Sequence, residues 1–270
     1  MTVRVLLVGC GNMGYAMLSG WLSSGKLAAS ETLVVEPNED LRHRAARLGS
    51  VVAASNAELP AGLLPEVIVI AVKPQVIREV VAGYTRFAGK TTFLSIAAGT
   101  AIATFTEILG AGTAVMRCMP NTPAAIGKGM MVVFADDRVS PRMKSFVSDL
   151  LSASGEVASV DDEALMDAVT AVSGSGPAYV FHFIECLTAA AKKAGLPDDV
   201  AALLARQTVF GAACLAAESG EEPGRLREQV TSPNGTTAAA LAVLMGEGRL
   251  EKLITEAVEA ARLRSIELGK

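Results

Sequence analysis

Three runs of small residues in this chain are suited to hold an anion or a dinucleotide. Gly9-Cys10-Gly11-Asn12-Met13-Gly14 follows directly on the apolar run at residues 3–8 and leads into a helical pattern through Ala16, Met17, Leu18, Trp21 and Leu22. Strand, glycine motif and helix in that order are the context in which G-x-G-x-x-G binds a dinucleotide. Gly9 allows a tight turn, Gly11 lets the backbone approach a pyrophosphate, and Gly14 lets the helix pack on the strand, with Asn12 and Met13 inside the same loop. The second run, Ser173-Gly174-Ser175-Gly176, precedes Pro177 and an apolar stripe at Val180, Ile184, Leu187 and Ala191. It reads as a hydroxyl-rich loop aiming free N–H groups at a helix start, which holds an anion, or as an ordinary interdomain turn. The third, Ser232-Pro233-Asn234-Gly235-Thr236-Thr237, also stands before a helix, and Thr236 or Thr237 could equally be its N-cap. Two such loops in one region favour a small anionic substrate over two unrelated caps.

The elements that must position these runs change character along the chain. Residues 3–8, 32–35, 51–53, 67–72, 92–96, 113–116, 129–134 and 156–159 read as strands. The run at 67–72 is continuously apolar, as a parallel strand covered on both faces should be. Glu36 ends the second strand about 20 residues beyond the glycine motif, where an acid binds the adenosine ribose. Glu36 favours NAD, whereas Arg42 and Arg44 close behind could receive the 2′-phosphate of NADP, so both cofactors stay open. Asn38 is a second candidate there and a plausible N-cap for the helix at 39–48, and Asn56 lies in a turn-like segment where pattern alone reads it as a cap. Lys73-Pro74 ends the fourth strand at the carboxyl edge, where ligands bind in open α/β sheets, and Ala97-Ala98-Gly99 ends the fifth at the same edge. The stretch Arg117-Cys118-Met119-Pro120-Asn121-Thr122-Pro123 is a rigid loop whose amide is suited to a nicotinamide carboxamide. Beyond Asp161 the strand-like runs stop, and helices are expected at 163–172, 177–194, 198–217, 236–245 and 250–268. The expected division is therefore a dinucleotide-binding α/β domain over 1–161 and an all-helical domain over 162–270.

Composition narrows the function classes. The 270 residues carry a formal net charge of −4 with no long run of either sign, which argues against nucleic acid and against a polybasic membrane patch. No uninterrupted apolar run reaches the roughly 18 residues of a membrane span. Residues are 51% hydrophobic but only 4% aromatic, so the core is aliphatic, and the surplus points to a subunit interface. The helix at 198–217 is apolar on nearly every face, which in so small a domain suggests burial against another subunit. Four scattered cysteines give neither a disulfide framework nor a zinc site, and no metal is expected. The apolar start runs straight into the glycine motif rather than a cleavage site, so a cytoplasmic protein is the expectation.

Taken together, these residues resemble the Δ1-pyrroline-5-carboxylate reductase family. The match is strongest from Asp167-Ala168-Val169-Thr170 through Ser173-Gly174-Ser175-Gly176-Pro177-Ala178-Tyr179 to Gly195-Leu196-Pro197, and again at residues 232–237. Gly9–Gly14, Ala71-Val72-Lys73-Pro74, Ala97–Gly99 and residues 117–123 support it. One departure is Asn234, where the family usually has a second glycine; asparagine tolerates the left-handed backbone, so the loop shape should survive while substrate affinity is affected. The resemblance implies a Rossmann-type domain followed by an all-helical, 6-phosphogluconate-dehydrogenase-like dimerisation domain. It implies hydride transfer from NADH or NADPH to the C=N carbon of pyrroline-5-carboxylate, giving L-proline, and a homodimer that can assemble further into rings. By position it assigns the dinucleotide to the glycine loop, Asn56, Ala71–Pro74, Ala97–Gly99 and Asn121. It assigns the substrate to Ser173–Gly176 and Ser232–Thr237, with the hydroxyl of Thr237 facing the ring nitrogen and the second loop supplied by the partner subunit.

That chemistry suits a chain with two histidines. A cyclic imine is basic enough to be protonated before reduction, so positioning and one hydrogen bond at nitrogen suffice. His43 and His182 read as ordinary helix histidines. A β-hydroxyacid dehydrogenase would share the glycine motif and a helical second domain, but needs a lysine after the interdomain turn, and residues 175–186 contain none. A non-catalytic dinucleotide module would leave both hydroxyl-bearing loops unexplained.

Overall fold

The computed structural model describes residues 3–269. Among them, β1 (Val5–Val8), β2 (Thr32–Val35), β3 (Val51–Ala53), β4 (Val67–Ile70), β5 (Thr92–Ser95), β6 (Val115–Met119), β7 (Gly129–Ala135) and β8 (Gly155–Ser159) form one sheet. Its order is β3-β2-β1-β4-β5-β6-β7-β8. The first six strands are parallel; β7 runs antiparallel to β6, and β8 runs parallel to β7. Helices α1 (Asn12–Ser23), α2 (Glu39–Ala46), α3 (Ile77–Ala82), α4 (Ile102–Leu109) and α5 (Pro141–Ser152) connect and cover the strands. Every residue of β1 and β4 is buried. Two apolar layers build this core, one around Leu7, Met17, Trp21 and Leu151, the other around Leu6, Ile68, Phe93 and Phe105. Burying one large aliphatic or aromatic side chain contributes roughly 1.5–3 kcal/mol, so these layers fix the sheet.

Strand order reverses at β1 and β4. The crevice outside their carboxyl ends is the ligand position of an open α/β sheet. It lies at Gly9 and at Ala71–Val72.

Beyond β8 the chain is helical: α6 (Met166–Val169), α7 (Gly176–Lys193), α8 (Asp198–Glu218), α9 (Pro223–Gln229), α10 (Thr236–Met245) and α11 (Arg249–Leu268). Helix α9 was not among the expected elements. Its charged run Arg225-Leu226-Arg227-Glu228 has little apolar periodicity to announce it.

Packing divides the chain into residues up to 175 together with 261 onward, and residues 176–260. The expected division at Asp161 marks where strands stop, not where packing changes. Glu163 is bonded to the N–H of Ile102 and to Arg117, and Ser265 donates to Asp167 at 2.6 Å, so residues 162–175 and the end of α11 belong with the sheet. In the helical unit, α8 leaves Leu203, Leu204, Phe210 and Leu215 exposed. By length and composition α8 could also cross a membrane, with an 18-residue window of mean hydropathy 1.6 of which 11% is buried.

Candidate functional site

The glycine loop does what its spacing predicts. Gly9 adopts φ +89°, and a Cβ there would lie 2.6 Å from the carbonyl oxygen of Ala71. A Cβ on Gly14 would come 2.5 Å from the carbonyl oxygen of Gly9. A Cβ on Gly11 would meet nothing within 4 Å, so that face of the loop is open. Gly11 is also the N-cap of α1, without a side chain to cap the helix and with no acid in the first turn. The first N–H groups of a 12-residue helix therefore stand free beside open space, which fits a pyrophosphate.

Glu36 and the arginines behind it frame the next part of the crevice. Glu36 is 6% exposed. Its Oε2 accepts from the N–H of Cys10 at 2.6 Å and its Oε1 from the N–H of Asn38 at 2.9 Å. The carboxylate thus braces the glycine loop, a role the spacing did not reveal. Asn38 also caps α2, its Oδ1 accepting from Leu41 N–H at 3.0 Å. Arg42 donates to the carbonyls of Glu36 and Pro37. Arg44 lies 4.0 Å over the ring of Tyr15 and donates to the carbonyls of Cys10 and Gly11, while its buried Nε has no partner. Burial pushes the Cys10 thiol up to about 11, with Glu36 adding to the rise and Arg44 opposing it, so this cysteine stays protonated near neutrality.

A cleft of about 470 Å³ brings Gly9, Glu36, Asn56 and Val72 together. The Nδ2 of Asn56 donates to the carbonyl of Gly83 at 2.8 Å, fixing its amide at the wall of this cleft. A larger cleft of about 650 Å³ lies among Met116, Asp136, Lys144, Ser159 and Asp161, and holds none of the expected site residues. The glycine-loop cleft is the better candidate because open backbone donors and the strand-order reversal converge there.

Further along the carboxyl edge, exposed Lys73 begins the short turn Pro74–Val76. Ala98 is half-buried, while Ala97 and Gly99 are buried. The backbone at Gly99, with φ +71°, lies against the end of α11.

Asn121 bonds across the structure. Its Oδ1 accepts from the N–H of Met130 at 2.9 Å, and its Nδ2 donates to the carbonyl of Ser173 at 3.2 Å. The second Nδ2 hydrogen and the second lone pair of Oδ1 remain for a carboxamide.

The run Ser173–Gly176 is not a loop ahead of a helix. Residues Thr170–Gly174 form a π-helical turn that joins α6 to α7, with Ser175 N–H bonded to Thr170 O at 2.8 Å. The expected helix N-terminus with free donors is therefore absent at this point, because the chain stays helical through it. π-turns are rare and concentrate at functional sites. The other run does stand at a helix start: Gly235 is the N-cap of α10 and offers no side-chain cap. Asn234 adopts φ +58°, the left-handed conformation expected of it. Half-buried Thr237 makes no side-chain hydrogen bond among the described residues. His182 pairs with Glu185 at 3.0 Å on the exposed face of α7.

Comparison with known proteins gives a consistent result. Residues 163–268 match the family model described as pyrroline-5-carboxylate reductase dimerisation. Residues 4–99 match the model described as NADP oxidoreductase coenzyme F420-dependent. The pyrroline-5-carboxylate reductase of Pseudomonas aeruginosa is 40% identical over 271 residues, covering 100% of this chain and 98% of the relative. That of Synechocystis sp. is 41% identical and covers 100% of both chains. The solved pyrroline-5-carboxylate reductase of Coxiella burnetii superposes with a TM-score of 0.92 at 33% identity over 100% of both chains. The Plasmodium falciparum pyrroline carboxylate reductase, solved with NADP bound, gives 0.85 at 28% identity over 99% of this chain and 98% of that one.

Proposed function

This chain belongs to the pyrroline-5-carboxylate reductase family, and on that premise we propose that it reduces the C=N bond of L-Δ1-pyrroline-5-carboxylate to L-proline, the last step of proline biosynthesis. It is an NAD(P)-dependent oxidoreductase. The observation that carries the reading is the likeness along the whole chain, helical half included, since the glycine motif alone would fit many dehydrogenases.

The dinucleotide sits in the crevice between β1 and β4. Gly9, Gly11, Asn12, Met13 and Gly14 and the start of α1 hold its pyrophosphate. Glu36, Asn38 and Asn56 face the adenosine ribose. Ala71–Pro74 and Ala97–Gly99 carry it along the carboxyl edge of the sheet toward Asn121. When bound, the reduced nicotinamide supplies the hydride.

Ser173–Gly176 and the loop Ser232-Pro233-Asn234-Gly235-Thr236-Thr237 hold the substrate carboxylate. The N-terminus of α10 is the stronger anion donor of the two, because its N–H groups have no cap. The hydroxyl of Thr237 bonds the ring nitrogen. The substrate arrives as an iminium, already an electrophile, so no side chain has to transfer a proton at carbon, and catalysis rests on orientation.

The protein oligomerises. A homodimer through the helical unit covers the exposed apolar residues of α8, and rings of dimers extend it. Burial against a second copy accounts for Leu203, Leu204, Phe210 and Leu215 better than a bilayer does, since Arg206 lies in the middle of the same helix. The protein works in the cytoplasm. Oxidation of NADH or NADPH on addition of pyrroline-5-carboxylate, with proline as product, tests the activity; equilibrium sedimentation tests the dimer.

A further inference from the structure

The π-turn at Thr170–Gly174 needs something to hold it, because it gives up the better i→i−4 geometry of an α-helix. Pro177 supplies half of the explanation. In an α-helix the carbonyl of Ser173 would accept from the N–H of residue 177, and a proline has none. That carbonyl is taken instead by Asn121 Nδ2 at 3.2 Å, with Ser173 Oγ 3.4 Å from the same nitrogen. The amide cannot turn over, because its Oδ1 accepts from Met130 N–H at 2.9 Å and a backbone N–H can only donate. Asn121 begins the short turn Thr122–Ile126 without capping it, so the side chain is used across the structure rather than locally. Gly174 seats against Met119 at the end of β6, where a Cβ would collide with that side chain.

We infer that Asn121 is a positioning residue: through the Ser173 carbonyl it holds the π-turn open and so sets the geometry in which Ser173–Gly176 present themselves to the substrate. This rests on the assignment of that run to the substrate. Without the tie the turn relaxes toward an α-helical register. A slip of one residue rotates Ser173 and Ser175 by about 100° around the helix axis. The cofactor crevice at β1 and β4 is untouched by such a slip, so the two ligands should respond differently.

Asn121→Ala is expected to raise KM for pyrroline-5-carboxylate about 10-fold at saturating NADPH, while the Kd for ADP-ribose, which fills the crevice at β1 and β4 without carrying a nicotinamide to Asn121, stays within twofold. Asn121→Asp keeps the acceptor for Met130 but turns a second oxygen toward the Ser173 carbonyl, and should be impaired at least as much. Were the Met130 bond all that mattered, Asn121→Asp would behave as wild type, which overturns the inference. Pro177→Ala restores an N–H that competes for the same carbonyl. Asn121→Ala should therefore cost much less in that background, and additive effects overturn the tie. Hydrogen exchange of amides 170–176 gives a readout without turnover: it should quicken at least several-fold in Asn121→Ala, and unchanged exchange contradicts the tie. A wild-type enzyme inactive on this substrate, with exchange quickened as described, overturns the substrate assignment of the run and its positioning role while leaving the tie itself standing.

Discussion

The guanidinium of Arg117 is closed by the carboxylate of Glu163, Nη1 to Oε1, at 2.9 Å. The same oxygen accepts the N–H of Ile102 at 2.7 Å, so one carboxylate joins the middle of β6, the first turn of α4 and the chain leaving the sheet. The Arg117 side chain is 8% exposed and that of Glu163 29%. Removing one member of a buried pair leaves the other charge uncompensated, which costs about 3–5 kcal/mol. Glu163→Ala should lower the urea midpoint accordingly, and Glu163→Gln, which keeps an acceptor for Ile102, should lower it less. A loss below about 1 kcal/mol for the alanine variant would mean that the pair does not hold this corner.

Two glycines of the loop, Gly11 and Gly14, should separate by cause. Gly11→Ala adds a methyl group that meets no protein atom within 4 Å, so melting should be unchanged while dinucleotide binding is lost or weakened more than 10-fold. Gly14→Ala places its Cβ against the Gly9 carbonyl and should destabilise the fold as well. Calorimetry and cofactor titration on both variants check this; a Gly11→Ala protein that binds normally removes the pyrophosphate from that face.

Much of this was legible in the sequence because local rules agree with the fold there. The glycine spacing at Gly9, Gly11 and Gly14, the wholly apolar β4 and the left-handed Asn234 follow from backbone sterics and burial. The Ser173 region was misread for a physical reason. Small residues before a proline signal a helix start, yet here the chain stays helical through the segment as a π-turn, with Asn121 bonded to the Ser173 carbonyl and Gly174 packed on Met119. No local pattern could disclose a partner 52 residues away. The bracing of the glycine loop by Glu36 is hidden in the same way, since its bond to Cys10 spans 26 residues. The packing units cross the expected division at Asp161 because α11 returns to the sheet unit, where Ser265 bonds Asp167, a contact between distant stretches of sequence.

Glu36 gives a cofactor prediction. Its carboxylate accepts from the Cys10 N–H and lines the cleft beside the glycine loop, where the proposed function puts the ribose. Glu36→Ala should weaken NADH about 10-fold or more, from the loss of hydrogen bonds to a charged acceptor. NADPH should lose less, because the same change removes repulsion of its 2′-phosphate. Kd values for both nucleotides decide it, and an equal loss contradicts the ribose role.

Cys10 should be silent to alkylation near neutral pH in the native protein, while exposed Cys186 labels first. Burial favours the neutral thiol in the fold. Its contribution to stability is therefore complete below pH 9.0 and is lost as pH rises through about 11. Rapid modification of Cys10 at pH 7, mapped by peptide mass, would contradict this.

The most direct measurement is the oxidation of NADH and NADPH by the purified protein on addition of L-Δ1-pyrroline-5-carboxylate, run beside Thr237→Ala. Wild type should turn the substrate over to proline. The variant should lose roughly 10- to 150-fold in kcat/KM, the equivalent of about 1.5–3 kcal/mol for a hydrogen bond to a charged group. Tight dinucleotide binding without turnover of this substrate would contradict the reductase assignment, and unchanged kinetics in Thr237→Ala would remove that hydroxyl from the ring nitrogen.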